Sequence, residues 1–287
     1  IAQAEYGPAA DFHPEDKDQS EWGFYWKRVD NTMGQPYHPP IRDWSDLKGY
    51  IPPNPDAPER YQTISRAVQE NPDRFVMAGL GISGFNFVTY LRGVEETYID
   101  LYEHPEELRE LIHMVYEFET AVIGHYCSFD GVDAVSFADD LGTQRGLIIS
   151  PNMWRELYKP LYKKQFDLIH QHGKKVYLHS CGDIWDIIED FIEIGVDVFN
   201  FNQPDVFGVE RLGEKFAGKV AFCTPVDHQT VAMKGTEEQI ESYVKRLKRN
   251  LSTDKGGYIG YIEEYSSMGM SSETFETICS VFERNRE

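Results

Sequence analysis

From residue 58 onward, apolar and polar positions follow two rhythms. Short apolar runs lie at 75–80, 133–138, 175–179, 196–201, 219–224 and 257–262. Between them the apolar residues recur with helical spacing, which predicts helices over 58–71, 85–93, 94–102, 105–127, 151–172, 184–194, 209–216, 236–251 and 273–284. Pro58-Glu59 and His104-Pro105-Glu106-Glu107 are helix-start signals. Gly173, Gly195, Gly218 and Gly256-Gly257 stand where helices stop. Strands this apolar, alternating with amphipathic helices, belong to a parallel sheet covered on both faces.

Residues 1–60 read differently. They hold nine of the 15 prolines, and Trp22, Trp26 and Trp44. The segments 36–40 and 52–56 cannot continue a helix or a central strand. Residues 21–29 read as an extended hairpin arm and the rest as loop, an irregular excursion without its own core. The six strands fit an open doubly wound sheet. A (β/α)8 barrel needs eight, with two lost before the start or hidden in the first 60 residues.

The polar residues favour the barrel. Asp139-Asp140, His179-Ser180-Cys181-Gly182, Asn202-Gln203, Asp227-His228 and Glu263-Glu264 all follow the carboxyl ends of predicted strands. Barrel sites gather at those ends, whereas an open sheet uses two or three strands at a switch point. Taken singly, an Asp at a strand end is ordinarily a cap, and Asn202-Gln203 can simply satisfy loop backbone. Five such ends together point to a site.

The chain has 287 residues, 41% hydrophobic and 14% aromatic, enough for a large folded domain. Its net charge of −20 excludes nucleic acid and anionic membrane as partners. No apolar stretch approaches a membrane span. The chain opens on Ile1 without a signal-peptide pattern, which points to a fragment. Four scattered cysteines, Cys127, Cys181, Cys223 and Cys279, fit a reducing cytoplasm rather than a disulfide scaffold.

His179 and Cys181 are the sharpest local feature. Residues i and i+2 of a strand share a face, and imidazole with thiolate suits zinc. By themselves the pair read equally well as a buried Cys beside a hydrogen-bonded His. A catalytic zinc takes three protein ligands, so the third must come from another strand end: Cys223, Glu263, Glu264, Asp139 or Asp140. Cys223 lies inside its strand and reads as packing, as do Cys127 and Cys279 on helices. Gly79 to Gly84 follows a strand but has neither a Walker lysine nor a clear acidic partner, and neither a serine elbow nor HExxH occurs.

Three segments resemble the uroporphyrinogen decarboxylase superfamily: 140–151 (DLGTQRGLIISP), 170–182 (HQHGKKVYLHSCG) and 192–204 (IEIGVDVFNFNQP). The resemblance runs over about residues 20–284 and implies an α/β fold, a TIM (β/α)8-type barrel, with 1–287 a single domain lacking its N-terminal portion. One branch of that superfamily is metal-free decarboxylases; the other is corrinoid-linked zinc methyltransferases, whose zinc motif His179 to Gly182 resembles. The third ligand of that motif, often Cys, corresponds to Glu264, with Glu263 one place off. Against the decarboxylase branch, the Arg-rich N-terminal motif is missing, and the substrate-contacting Ser falls at Asp139, although Tyr90 matches a substrate-contacting Tyr. Carboxylates at the mouth also repel a polyanionic porphyrinogen.

The resemblance thus implies zinc on His179, Cys181 and Glu264. It puts Asp139, Asp140 and Tyr90 around the reacting groups, and Asn202, Gln203 and Asp227 on the substrate. The cofactor partner is a corrinoid (cobalamin) on a separate protein. The small molecule is a methyl ether or similar donor, or a thiol acceptor, with the demethylating direction favoured because a carboxylate ligand leaves zinc the stronger Lewis acid. Two rival expectations are a metal-free decarboxylase and a non-catalytic barrel that docks a corrinoid protein.

Overall fold

The computed structural model describes residues 1–28, 34–262 and 269–286. Its α/β alternation matches the sequence pattern, and the chain divides into two compact units. The first comprises Ile1–Asp140 and Asn152–Tyr177, the second Leu141–Pro151 and Leu178–Glu287.

The first unit opens with a strand the sequence pattern missed. Strand β1 (Ala2–Glu5) pairs parallel with β4 (Val76–Ile82), Ala2 opposite Val76 and Glu5 opposite Gly79. Its residues, AQAE, carry no β-branched or aromatic signal; the pairing itself, not propensity, makes it a strand. It is one of the two barrel strands not counted in the sequence. On the other side β4 pairs parallel with β5 (Ala134–Ala138). Between β1 and β4 lie the antiparallel hairpin of β2 (Tyr25–Lys27) and β3 (Gln35–Tyr37), the short helix α1 (Trp44–Leu47), and α2 (Gln62–Glu70), entered through a 3₁₀ turn at Pro58–Tyr61. Helices α3 (Gly84–Arg92), α4 (Val94–Glu103) and α5 (Pro105–Cys127) follow β4.

The N-terminal arm is part of the core rather than an excursion from it. Trp22, Phe24 and Ile41 are buried. Fully buried Arg60 ties the arm together: its guanidinium donates to the Gly7 and Asn54 carbonyls and pairs with Glu21. A charge that deep is tolerable only when paired and bonded in this way.

The helix expected over 151–172 is two, α6 (Pro151–Leu157) and α7 (Lys159–Gln171). Pro160 explains the break, since it lacks the N–H that a continuous helix needs and is favoured in a first turn.

The second unit begins with a small hairpin, β6 (Gly142–Thr143) against β7 (Gly146–Leu147). Strand β8 (Lys175–His179) runs out of the first unit into the second. Its first residue bonds Asp133 at 2.9 Å within the first unit, and Ser180 just past its end bonds Asn200 at 3.4 Å within the second. Then come α8 (Trp185–Ile194), β9 (Val198–Asn200), α9 (Val209–Phe216), β10 (Ala221–Thr224), α10 (Glu237–Leu251), β11 (Tyr258–Gly260) and α11 (Ser272–Arg284). Strand β10 pairs parallel with both β9 and β11. Thr236 and Gln239 form the capping box that starts α10. Among the described residues no helix is long and apolar enough to cross a membrane, and no two of the four cysteines are joined by a disulfide.

Candidate functional site

The two metal-ligand candidates meet in the second unit. His179 ends β8 and Cys181 follows two residues on; His179 Nε2 and Cys181 Sγ are 3.4 Å apart. Asn200, at the end of β9, fixes the imidazole. Its Nδ2 donates to the Cys223 carbonyl at 2.8 Å, which leaves Oδ1 facing His179 Nδ1 at 2.8 Å. Nδ1 therefore carries the proton, and Nε2 presents its lone pair on the Cys181 side. This is how a metal-binding histidine is ordinarily oriented. Asn200 was not among the expected site residues; Asn202, two positions on, was. Asn200 falls within the apolar run 196–201 of the sequence, and its role depends on His179 and Cys223, which the fold brings beside it.

The turn that carries Cys181 is built by two glycines. Gly182 has φ +76°, and a Cβ there would meet the Gly142 carbonyl at 2.2 Å; a Cβ on Gly142 would meet the Asp183 amide at 2.6 Å. Leu141 N–H donates to Ser180 Oγ at 3.1 Å, and Gly142 N–H to the Cys181 carbonyl at 3.2 Å. So the two segments 140–151 and 170–182 meet backbone to backbone. Asp140 is covalently one residue from this anchored Leu141.

The other expected residues fall in several places. Glu263 and Glu264 lie outside the described residues. Asp139 is fully buried in the first unit and engaged with protein: Phe85 and Asn86 N–H donate to its two oxygens at 2.9 Å each, and the Tyr162 hydroxyl donates as well. It anchors the N-terminus of α3, where a carboxylate meets the positive end of the helix dipole. Asn86 in turn clasps the Asp140 backbone, its Nδ2 donating to the Asp140 carbonyl at 3.2 Å. Asp227 is buried too, and its Oδ1 accepts from Gln229 and Thr230 N–H at 2.9 and 3.1 Å, the turn-capping arrangement. Half-buried Gln203 accepts from Gln144 Nε2 at 2.8 Å, and Asn202 is half-buried beside it. Tyr90, on α3, lines a cavity of about 310 Å³ in the first unit, and burial pushes its hydroxyl up to about 12. Cys127 and Cys223 pack in the core as expected.

Below α3 lies a second buried carboxyl. Glu119 on α5 accepts from Gly84 N–H at 2.8 Å and from Gln165 Nε2 at 3.0 Å. Burial nevertheless raises its pKa to about 7. The folded chain therefore binds this proton more tightly than the unfolded chain. The contribution to stability is complete below about pH 4.5 and is lost as pH rises to about 7, a change of about 3 kcal/mol. Glu119→Gln should thus gain about that much on the parent between pH 4.5 and 7.5 in urea unfolding. A stability difference that stays flat with pH contradicts the buried proton.

A tautomer-fixing amide has a measurable role. Asn200→Ala should weaken zinc binding ~10- to 100-fold in competition with a chelator, and Asn200→Asp, which keeps the acceptor but loses the Nδ2 donation to the Cys223 carbonyl, should restore it only in part. Equal affinity in all three contradicts the assignment.

The family model of uroporphyrinogen decarboxylase matches residues 29–263. The chain belongs to the uroporphyrinogen decarboxylase family. Among solved structures, a methyltransferase from Methanosarcina mazei is similar with TM-score 0.68 at 15% identity, over 90% of this chain and 74% of that one. That likeness fixes the fold class, α/β of the TIM-barrel type. A 3-keto-D-glucoside 4-epimerase from E. coli follows with TM-score 0.47 and 12% identity, over 77% of this chain and 83% of that one. An endo-β-1,4-xylanase from Gloeophyllum trabeum has TM-score 0.45 and 13% identity, over 77% and 80%. A sequence comparison with curated proteins gives no match.

Proposed function

We propose that the chain is a zinc-dependent methyltransferase of a corrinoid system. It moves a methyl group between a small methylated donor, or a thiol, and a cobalamin-type corrinoid carried on a partner protein. The observation that carries this reading is the His179–Cys181 pair, 3.4 Å apart, with the ring held by Asn200. Imidazole and thiolate are donors suited to zinc, and the amide orients the ring. Family membership and the likeness to a methyltransferase support the same branch.

A third donor is needed for a catalytic site. Asp140 is our candidate, with His179 and Cys181 the other two. Glu264, the residue that the resemblance assigns, is the alternative. Bound there, zinc supplies Lewis acidity toward a thiol or toward the heteroatom of a methyl donor.

The chain's own residues do the positioning. Asn200 keeps the His179 proton on Nδ1. The Gly142–Gly182 contact fixes the turn that aims Cys181. Asp139 holds α3, whose Asn86 fixes the Asp140 backbone and whose Tyr90 faces the cavity. Gln203, steadied by Gln144, and Asn202 stand on the substrate side. A carboxylate in place of a second thiolate gives a harder donor set, which favours the demethylating direction.

The test is methyl transfer to or from free cobalamin by the zinc-loaded chain, followed by absorbance with a panel of thiols and methylated donors. Zinc-dependent transfer is the expected result. Decarboxylation of a porphyrinogen by the zinc-free chain, with no methyl transfer, overturns the reading.

A further inference from the structure

The 310 Å³ cavity of the first unit has a chemistry of its own. Its floor is the carboxyl ends of β1 and β4, with Glu5, Leu80 and Ile82, and its walls are Trp22, Phe24, Trp26, Phe87 and Tyr90. The arm residues among these come from the stretch that reads as irregular in the sequence.

The rings stand edge to face around it. Trp22 and Phe87 have centroids 4.9 Å apart at 74°, Phe24 and Phe87 5.8 Å at 78°, Phe24 and Tyr90 5.5 Å at 67°, and Trp26 and Tyr90 5.8 Å at 60°. The rings pack edge to face on one another, and together they give the cavity an aromatic lining, the kind of surface that attracts a cation.

The charges point the same way. Two carboxylates, Glu5 and Glu21, line the cavity, and no Lys or Arg does. Glu21 is already neutralised by Arg60. Glu5 has no cationic partner among the described residues, and its carboxylate rests against Gly81, 3.2 Å from where a Cβ would stand. Partial burial raises its pKa with no charge nearby to offset the cost. The cavity therefore carries one uncompensated negative charge at its floor and aromatic rings on its walls. Among the described residues no cationic side chain lines the cavity to receive an anionic ligand.

We infer that this cavity binds a small methylated organic cation, of the quaternary ammonium class. The methyl groups lie against Trp22, Phe24, Trp26 and Tyr90, and Glu5 supplies the counter-charge. The cavity opens to solvent, so a compact head group can sit in it while the rest of a guest stays outside. The inference concerns binding only; it shares Tyr90 with the methyl-transfer reading, and calorimetry reads binding without turnover, so either can fail without the other.

Calorimetry with tetramethylammonium chloride and choline chloride is the test, against 3,3-dimethylbutanol, the neutral carbon isostere of choline. Saturable binding of the cations, with the neutral isostere at least ~10-fold weaker, is expected. Glu5→Gln and Phe24→Leu should each weaken the cations ~3- to 30-fold while leaving the isostere unchanged. No saturable binding, or equal affinity for choline and its isostere, overturns the inference. So does preferred binding of an uncharged methoxybenzene, which would assign the rings to stacking on an aromatic guest.

Discussion

His179→Ala should leave the protein folded but without bound zinc and without methyl transfer. The imidazole is half-buried at the end of β8, and its loss removes the contacts with Asn200 and Cys181 while leaving the strand's backbone bonding in place. A Lewis acid contributes several kcal/mol to a transition state, so the activity should fall ~10³-fold or more. Cys181→Ser should act in the same direction, since a hydroxyl is a poorer ligand than a thiolate. Metal content by atomic emission, read beside the rate, checks both. Full activity in His179→Ala with no metal bound contradicts the proposed chemistry.

The second large effect is structural. Gly182→Ala should cost on the order of 3–5 kcal/mol of stability, and zinc binding with it. A left-handed φ of +76° accounts for about 1–2 kcal/mol, and the Cβ contact at 2.2 Å with the Gly142 carbonyl for the remainder. Gly173→Ala is the internal control: its φ is +71°, but nothing lies within 4 Å of the new Cβ. Urea unfolding should show the backbone penalty alone at Gly173 and the added collision at Gly182. Equal costs at the two positions contradict the close approach of the two segments.

Much of this molecule was legible in its sequence because most elements carry their own signals. The helices at Pro105–Cys127 and Val209–Phe216 and the strand Lys175–His179 fall where periodicity and stop signals put them. Where local signals were weak, tertiary contacts decided. Strand Ala2–Glu5 exists because Val76–Ile82 offers it a parallel edge, not because Ala, Gln and Glu favour strands. The break before Lys159 follows from Pro160, a signal present in the sequence and outweighed there by a continuous apolar stripe.

The site was half legible. The His-x-Cys spacing picked out the two candidate ligands, because i and i+2 share a strand face, and the fold brings their donor atoms within 3.4 Å. Asn200 escaped notice because orienting a histidine depends on a partner from the neighbouring strand, which no local pattern encodes. Asp139 and Asp227 have a structural side that the sequence did not signal: Asp139 accepts backbone N–H groups at both oxygens, and Asp227 accepts them at Oδ1. The aromatic cavity was hidden for a related reason: Trp22 and Phe24 come from an arm without periodicity, and only folding brings them beside Phe87 and Tyr90.

The measurement closest to the central claim is zinc X-ray absorption on the purified protein, repeated on Asp140→Asn and Glu264→Gln. The account predicts one zinc per chain, with a single sulfur at ~2.3 Å and nitrogen or oxygen donors at ~2.0–2.2 Å, and loss of an oxygen donor in one of the two variants. A protein that binds no zinc, or a zinc shell without sulfur, contradicts it.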